Sequence, residues 1–273
     1  MICIYHSRDL DGWMSSAIVK LKYPDIKLIG WDYGQVIPIL DPTQAVIMVD
    51  ISFPKEYMKE IAGQGLVWID HHISAINDMT GLGFLLQGIR DSSFAACELT
   101  WKYLFPDKEI PELVRLLGRY DCFGHKGTNE EIKVLEFQYG AREFISNPKD
   151  AFVTLNRCIA DLGTLDYIWE NGKSIYKYLC TEAKQIYSRG FETQFGGYNF
   201  LCVNQDRFNP INFGIDYHKD GYDGFACFWY AHGKWVYSLY NDNGLVDCSI
   251  IAKLHGGGGH KGAAGFTSDK VLL

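Results

Sequence analysis

The sequence predicts an α/β protein. An N-terminal domain is built on a parallel, doubly wound sheet and has a helical second half; a smaller C-terminal α+β domain follows. Three observations predict this. Over the first 72 residues, short apolar runs alternate with helix-period patterns, as in parallel strands joined by crossover helices. From about Asp91 the patterns are helical up to Ser188, and beyond Gly190 aromatic-rich runs replace them.

Ile2 to Tyr5 reads as the first strand and ends at His6; Trp13, Ala17 and Leu21 then mark a helix by their four-residue spacing. Ile26 to Trp31 is a second strand, ending near Asp32, and Ala45 to Val49 a third, with Asp50 at its carboxyl end. Pro54 to Ala62 reads as a helix, and Leu66 to Ile69 as a fourth strand that runs into Asp70-His71-His72. Asp91-Ser92-Ser93 supplies capping chemistry ahead of a helix over Ala95 to Leu104. Pro111 opens another, with Leu113, Val114 and Leu117 on one face, which ends close to Asp121. A long amphipathic stretch from about 165 to 188 carries Ile168, Ile175, Leu179, Ala183 and Ile186, and Gly190 and Gly196-Gly197 break it. Phe200 to Val203, Gly224 to Tyr230 and Trp235 to Tyr240 read as strands, with Ala231-His232-Gly233-Lys234 as a hairpin turn. The domain boundary is expected near 190, giving 1–189 with the long helix as connector, and 190–273.

Hydrophobic content of 47% and charged content of 22% are those of an ordinary globular chain, and 273 residues suffice for one or two domains. No apolar run approaches membrane-spanning length, and the N-terminus lacks a basic segment followed by a long apolar one, so neither a membrane span nor a secretory signal is expected. Eight scattered cysteines without close pairs fit reduced thiols in a cytoplasmic protein. The net charge of -7 argues against tracking long nucleic acid by phosphate neutralisation. Acids that hold divalent cations contribute to such a count, so small phosphorylated substrates are compatible with it.

His6, Asp9 and Asp11 share one loop, and two aspartates one residue apart can reach neighbouring metals, with Gly12 turning the chain into the next helix. An N-capping aspartate is the alternative there. Asp50 ends a strand too apolar to bury a bare carboxylate without a partner, although helix capping would also account for it. Asp121, after a helix, adds no motif of its own. In Asp70-His71-His72 one histidine can be a ligand and the other can orient substrate or move protons. Asp70 can stand behind them and fix an imidazole tautomer; surface histidines after a helix cap are the alternative. In Gly256-Gly257-Gly258-Gly259-His260-Lys261-Gly262-Ala263-Ala264-Gly265, consecutive glycines let backbone N–H groups converge on an anion. A flexible linker is the competing reading, and the P-loop spacing is absent.

Taken in order, His6-x-x-Asp9-x-Asp11-Gly12, Asp50, Asp70-His71-His72, Asp121 and Gly257-Gly258-Gly259-His260-x-x-Ala263-Ala264-Gly265 resemble the DHH phosphoesterase family with its C-terminal DHHA1 domain. The set spans nearly the whole chain. The resemblance implies two divalent ions, commonly manganese with magnesium as the alternative: His6 and Asp9 at one, Asp11, His71 and Asp121 at the other, and Asp50 between them. It implies that Gly257, Gly258, Gly259 and His260 contact the phosphate or terminal nucleotide; His72 is the candidate for contacting the scissile phosphate or protonating the leaving group. Two features depart from the family pattern. His6 stands one residue closer to its aspartate than in many members, as in a shorter-loop branch. Tyr240 follows Ser238-Leu239 where many DHHA1 domains carry an arginine. The expected activity is hydrolysis of a phosphodiester in a short oligonucleotide or small nucleotide, with no long duplex or membrane as partner and a homodimer compatible with it. The alternatives are a phosphomonoesterase or pyrophosphatase acting on nucleoside bisphosphates or pyrophosphate, and a catalytically silent nucleotide-binding module.

Overall fold

The structure, a computed structural model, describes residues 1–81 and 86–272. The chain separates into two compact units, Met1–Ile175 and Tyr176–Leu273.

In the first unit, strands β1 (Ile2–His6), β2 (Lys27–Trp31), β3 (Val46–Val49) and β4 (Val67–Ile69) form an all-parallel sheet in the order β2-β1-β3-β4. Helix α1 (Leu10–Lys22) links the first two strands and α2 (Lys55–Ala62) precedes β4. The chain steps one way from β1 to β2 and the other way from β1 to β3, so the carboxyl ends of β1 and β3 flank the topological switch point. Open α/β sheets bind ligands in that crevice.

The inner strands are predominantly apolar because both faces of the sheet are covered. Cys3, Ile47, Val49 and Ile69 face the layer that contains Met14, Ala17 and Ile18 of α1, whereas Ile2, Ile4, Val46, Met48 and Trp68 face Met58 and Ile61 of α2. The two sets alternate along each strand, as the two-residue strand period requires. Each fully buried aliphatic or aromatic side chain stabilises the fold by roughly 1.5–3 kcal/mol. The segment after α3 (Ile73–Asp78) returns along β4, with the amides of Trp68 and Asp70 donating to the carbonyls of Gln87 and Ile89. The Arg90 guanidinium fastens it, donating to the carbonyls of Leu86, Gln87 and Trp68.

Five helices follow: α4 (Ala96–Leu104), α5 (Glu112–Asp121), α6 (Glu131–Phe144), α7 (Pro148–Ala160) and α8 (Gly163–Tyr187). Helices α4, α5 and α8 stand where the apolar spacing predicts them. Helix α3 and helices α6 and α7 are additions. The signal for α7 is local: Asn147 caps it by accepting from the amides of Lys149 and Asp150, and Pro148 occupies the first turn. Helices α6 and α8 cross with backbones in contact. A methyl group at Gly140 would strike the Ile168 carbonyl, and one at Gly172 the Glu136 carbonyl. The compact units divide within α8, upstream of the boundary near 190 expected from composition.

The second unit holds a six-stranded sheet in the order β5-β6-β7-β8-β10-β9, formed by β5 (Phe191–Phe195), β6 (Tyr198–Asn204), β7 (Gly224–Ala231), β8 (Lys234–Tyr240), β9 (Gly258–His260) and β10 (Ala263–Ser268), with α9 (Cys248–Leu254) as its helix. All neighbours are antiparallel except β6 and β7. The β7–β8 hairpin turns on His232 and Gly233, both at positive φ (53° and 80°), the geometry favoured for two-residue hairpin loops. An aromatic core fills one face, where Tyr237 and Phe266 stack 4.7 Å apart and Phe195 meets Phe200, Tyr237 and Phe266 edge-on.

Candidate metal centre

The polar residues at the strand ends of the first unit converge. His6 closes β1. Asp9 caps α1, its Oδ1 accepting the Gly12 amide at 2.9 Å, while its Oδ2 lies 2.8 Å from His6 Nδ1. Capping and a site role therefore coexist in one carboxylate. Gly12 is required sterically, because a side chain there would strike the His6 carbonyl. Asp11 is buried in the first turn of α1 and gripped from across the fold: its Oδ2 accepts the Ala96 amide at 2.8 Å and its Oδ1 the Cys97 amide at 2.7 Å. These are the first free N–H groups of α4, where the helix dipole favours an anion.

Asp50 follows β3 with φ at 61°, a left-handed conformation uncommon for a residue with a side chain. Its amide donates to the Ile69 carbonyl at 3.0 Å. The side chain is 1% exposed, and neither oxygen has a hydrogen-bond partner. Oδ2 stands 3.3 Å from His6 Nδ1, and Oδ1 stands 3.4 Å from His71 Nε2. His71 Nε2 is in turn 3.3 Å from Asp121 Oδ2 and 3.6 Å from Asp11 Oδ2. One imidazole nitrogen cannot hydrogen-bond to three carboxylates at once. Donor atoms placed about 2.1 Å around a common cation do stand roughly 3–3.5 Å from one another. Among the described residues, three overlapping groups each bring one donor atom per residue within 4.8 Å of one another: His6, Asp9 and Asp50; Asp11, His71 and Asp121; and Asp50, His71 and His72. The residues present therefore fit a divalent cation, and the two unpartnered oxygens of Asp50 are the clearest sign of it.

The electrostatics agree. Burial, reinforced by the charges of Asp11 and Asp9, pushes the Asp50 carboxyl well above its ordinary range. Burial and then Asp11 do the same to Asp121. Burial works against a charged His6, yet the carboxylates of Asp50 and Asp9 outweigh it and push the imidazole up to about 11. Acids crowded to this degree repel one another, and a bound cation inverts that repulsion.

Asp70 is fully buried and saturated with donors. Its Oδ1 accepts the amides of His71 (2.7 Å) and His72 (3.1 Å) and lies 2.8 Å from His72 Nδ1, while its Oδ2 accepts the Trp68 indole N–H at 3.1 Å. It holds the two histidines in place and has no capacity left for a cation. With Nδ1 tied to Asp70, His72 has Nε2 as its remaining nitrogen.

Asp32, at the end of β2, is the residue that sequence reasoning left without a role. Its Oδ1 lies 3.4 Å from His6 Nε2, and its Oδ2 accepts from Arg8 Nε at 2.6 Å, so it backs the first histidine. The strand-end rule that singles out Asp50 points equally to Asp32.

In the second unit, Gly257 to His260 are not an open linker. Gly258 to His260 pair with Ala263 to Gly265 as an edge strand. A methyl group at Gly257 would meet the Gly265 carbonyl and Phe266, and one at Gly259 would meet Ala264, so close packing explains these two glycines. His260 is exposed.

No family model matches the chain. An uncharacterized protein of Acanthamoeba polyphaga mimivirus is 26% identical over 272 residues; the match covers 96% of this chain, which spans 57% of that relative's length. Among solved structures, a pGpG-specific phosphodiesterase from Vibrio cholerae superposes with a TM-score of 0.57 at 13% identity, covering 97% of this chain and 92% of its own. An exopolyphosphatase-related protein from Bacteroides fragilis gives 0.55 at 14% identity, over 99% and 87%. The DHH domain of a member of a ribosomal-protein family gives 0.52 at 14%, over 97% and 81%. The chain thus has the fold of the DHH-domain proteins, as its ordered motifs imply. Among the described residues no helix is long and apolar enough to cross a membrane.

Proposed function

We propose that the chain is a metal-dependent phosphoesterase that hydrolyses phosphodiester bonds in short oligonucleotides or small nucleotides. The observation that carries this reading is the buried Asp50 carboxylate, unpartnered at both oxygens and flanked by His6 and His71. His6, Asp9 and Asp50 would hold one divalent ion, and Asp11, His71, Asp121 and Asp50 a second, with manganese the first choice and magnesium the alternative. When bound, such ions neutralise phosphoryl oxygens and make water a nucleophile near neutral pH. The protein's own residues supply position. Asp70 fixes His72 so that Nε2 is the nitrogen offered to a scissile phosphate or a departing oxygen. Asp32 and Arg8 steady His6. Gly257, Gly258, Gly259 and His260 we assign to phosphate contact, a role that His260→Ala would reveal as a raised KM with kcat nearly unchanged.

The fold shared with a phosphodiesterase and an exopolyphosphatase-related protein supports phosphoester or phosphoanhydride chemistry. The test is direct: incubate the protein with manganese and a panel of dinucleotides, short RNA and DNA, cyclic dinucleotides, nucleoside bisphosphates and pyrophosphate, and read the products by mass. Mononucleotides released from dinucleotides support the reading. Turnover of bisphosphates or pyrophosphate alone transfers the assignment to a phosphomonoesterase or pyrophosphatase. Metal and nucleotide binding without turnover of any member leaves a silent binding module and overturns it.

A further inference from the structure

The sheet's carboxyl edge carries a second feature beside the acidic cup. A pocket of about 690 Å3 opens in the first unit, within the range of about 300–1,000 Å3 usual for ligand sites. Part of its wall comes from residues close to the site residues along the chain. Trp31 and Tyr33 bracket Asp32, Phe53 lies three residues beyond Asp50, and Ser74 lies two beyond His72. Trp31 is buried and packs edge-on against Phe53 (4.9 Å) and Tyr33 (5.5 Å), which fixes an aromatic floor. Tyr33 itself is 53% exposed. A tyrosine so exposed beside catalytic-type residues has ring surface to offer a ligand. Ser74 and Asp78 stand one helical turn apart, on one face of α3, and with Gln35, Ser52 and Lys55 give the pocket its polar groups.

We propose that this pocket is a subsite for a nucleobase of the substrate, stacked on Tyr33 with its polar edge toward Ser74 and Asp78. An aromatic floor, one exposed ring and a polar margin match a base better than an aliphatic chain, which has no polar edge to satisfy. A carboxylate at that margin suits the exocyclic amine of adenine, guanine or cytosine. The inference rests on the phosphoesterase reading for the position of the phosphate, and deepens it by placing the base inside the first unit. The ionisation of Tyr33 is consistent with this closeness: burial, and then the charges of Asp70 and Asp50, hold its hydroxyl protonated to higher pH against the opposing hydrogen bond with Ser52.

Two measurements separate this inference from the reading it rests on. In EDTA, the whole protein is titrated with AMP, GMP and ribose 5-phosphate by calorimetry. With manganese, hydrolysis of a dinucleotide is compared with that of its analogue lacking one base. Tyr33→Ala removes the stacking ring, and Ser74→Trp fills the pocket from an exposed helix position; melting curves verify that both variants fold. We expect the nucleotides to bind at least about fivefold more tightly than ribose 5-phosphate, and both substitutions to erase that margin, since one base-stacking contact is worth about 5- to 150-fold. Equal binding of ribose 5-phosphate, or nucleotide binding that survives both substitutions, overturns the pocket assignment. Base-dependent binding without hydrolysis of either dinucleotide supports the pocket while removing the phosphoesterase reading. Hydrolysis that ignores the missing base removes the pocket alone.

Discussion

Replacing Asp50 with asparagine should make the metal-free protein more stable and deprive it of manganese. The amide keeps the shape of the carboxylate, and asparagine tolerates φ near 61° as well as aspartate does, so the backbone has no reason to change. What changes is charge. Asp50 is 1% exposed, neither oxygen has a hydrogen bond, and its carboxyl is held well above the ordinary range by burial and by Asp11 and Asp9. The attraction of His6 is already included in that balance, and the net effect still disfavours the charged form. A neutral isostere has no charge to bury beside Asp11 and Asp9, and relief of that cost is on the order of 1–3 kcal/mol, which for a domain of this size raises Tm by roughly 2–12 °C. Losing the ligand shared by two groups should weaken manganese binding by at least about a hundredfold, beyond the 10–100-fold typical of a supporting residue. Thermal melts in EDTA and in manganese, for the wild type and for Asp50→Asn, test both halves. A variant less stable than the wild type in EDTA, or one whose Tm still rises normally with manganese, would refute the assignment of Asp50 as the orphaned central ligand. Asp50→Ala is the weaker test, because alanine at positive φ adds strain of its own.

Asp70→Asn leaves one acceptor oxygen for donors that now share two, so we expect a loss of about 1–3 kcal/mol in denaturant unfolding. Hydrolysis should fall about 10–100-fold through the loosened His72, more than manganese affinity falls; equal losses would place Asp70 among the ligands. Gly12→Ala drives a methyl group into the His6 carbonyl and should cost about 1–3 kcal/mol while weakening metal uptake, and a variant with wild-type stability and uptake would contradict that close approach. The pH dependence has a definite sign. Between the ordinary value of 3.8 and their raised values, Asp50 and Asp121 keep protons in the folded metal-free chain that the unfolded chain has lost, so stability falls as pH rises through that window. His6 acts in the same direction between 6.5 and about 11. The gain in Tm on adding manganese should therefore grow with pH and proton release should accompany binding. Calorimetry in buffers of different ionisation enthalpy counts those protons, and a count of zero would contradict the charge states inferred for the cup.

Positions set by a neighbouring stretch of chain are legible in the sequence. An apolar run that ends in an acid or a histidine is readable as it stands, and β1, β3 and β4 place His6, Asp50 and His71 as that pattern implies. Orientations set by distant chain are not. Asp11 owes its orientation to two amides at the start of α4, 85 and 86 residues away, and no local pattern encodes that grip. Asp32 was visible by the strand-end rule but lacked the aspartate and histidine company that drew attention elsewhere. The parallel pairing of β6 with β7 depends on the long excursion between them, whereas the β7–β8 hairpin announces itself in His232-Gly233. The glycine run illustrates a different limit. Glycine is required both where a backbone receives an anion and where two strands press together, and composition alone does not distinguish the two. Gly257 and Gly259 meet the second condition whatever they do for a ligand.

The crossing of α6 and α8 bears on how such a chain can evolve. At Gly140 and Gly172 each helix occupies the space that the other's smallest side chain would need. Neither position can drift alone, and no paired exchange rescues it, because the obstacle on each side is backbone rather than side chain. The side chains around the crossing meet no such backbone obstacle and have more freedom to vary. The crossing is a fixed point in sequence space: a lineage keeps both glycines or abandons the way these two helices meet.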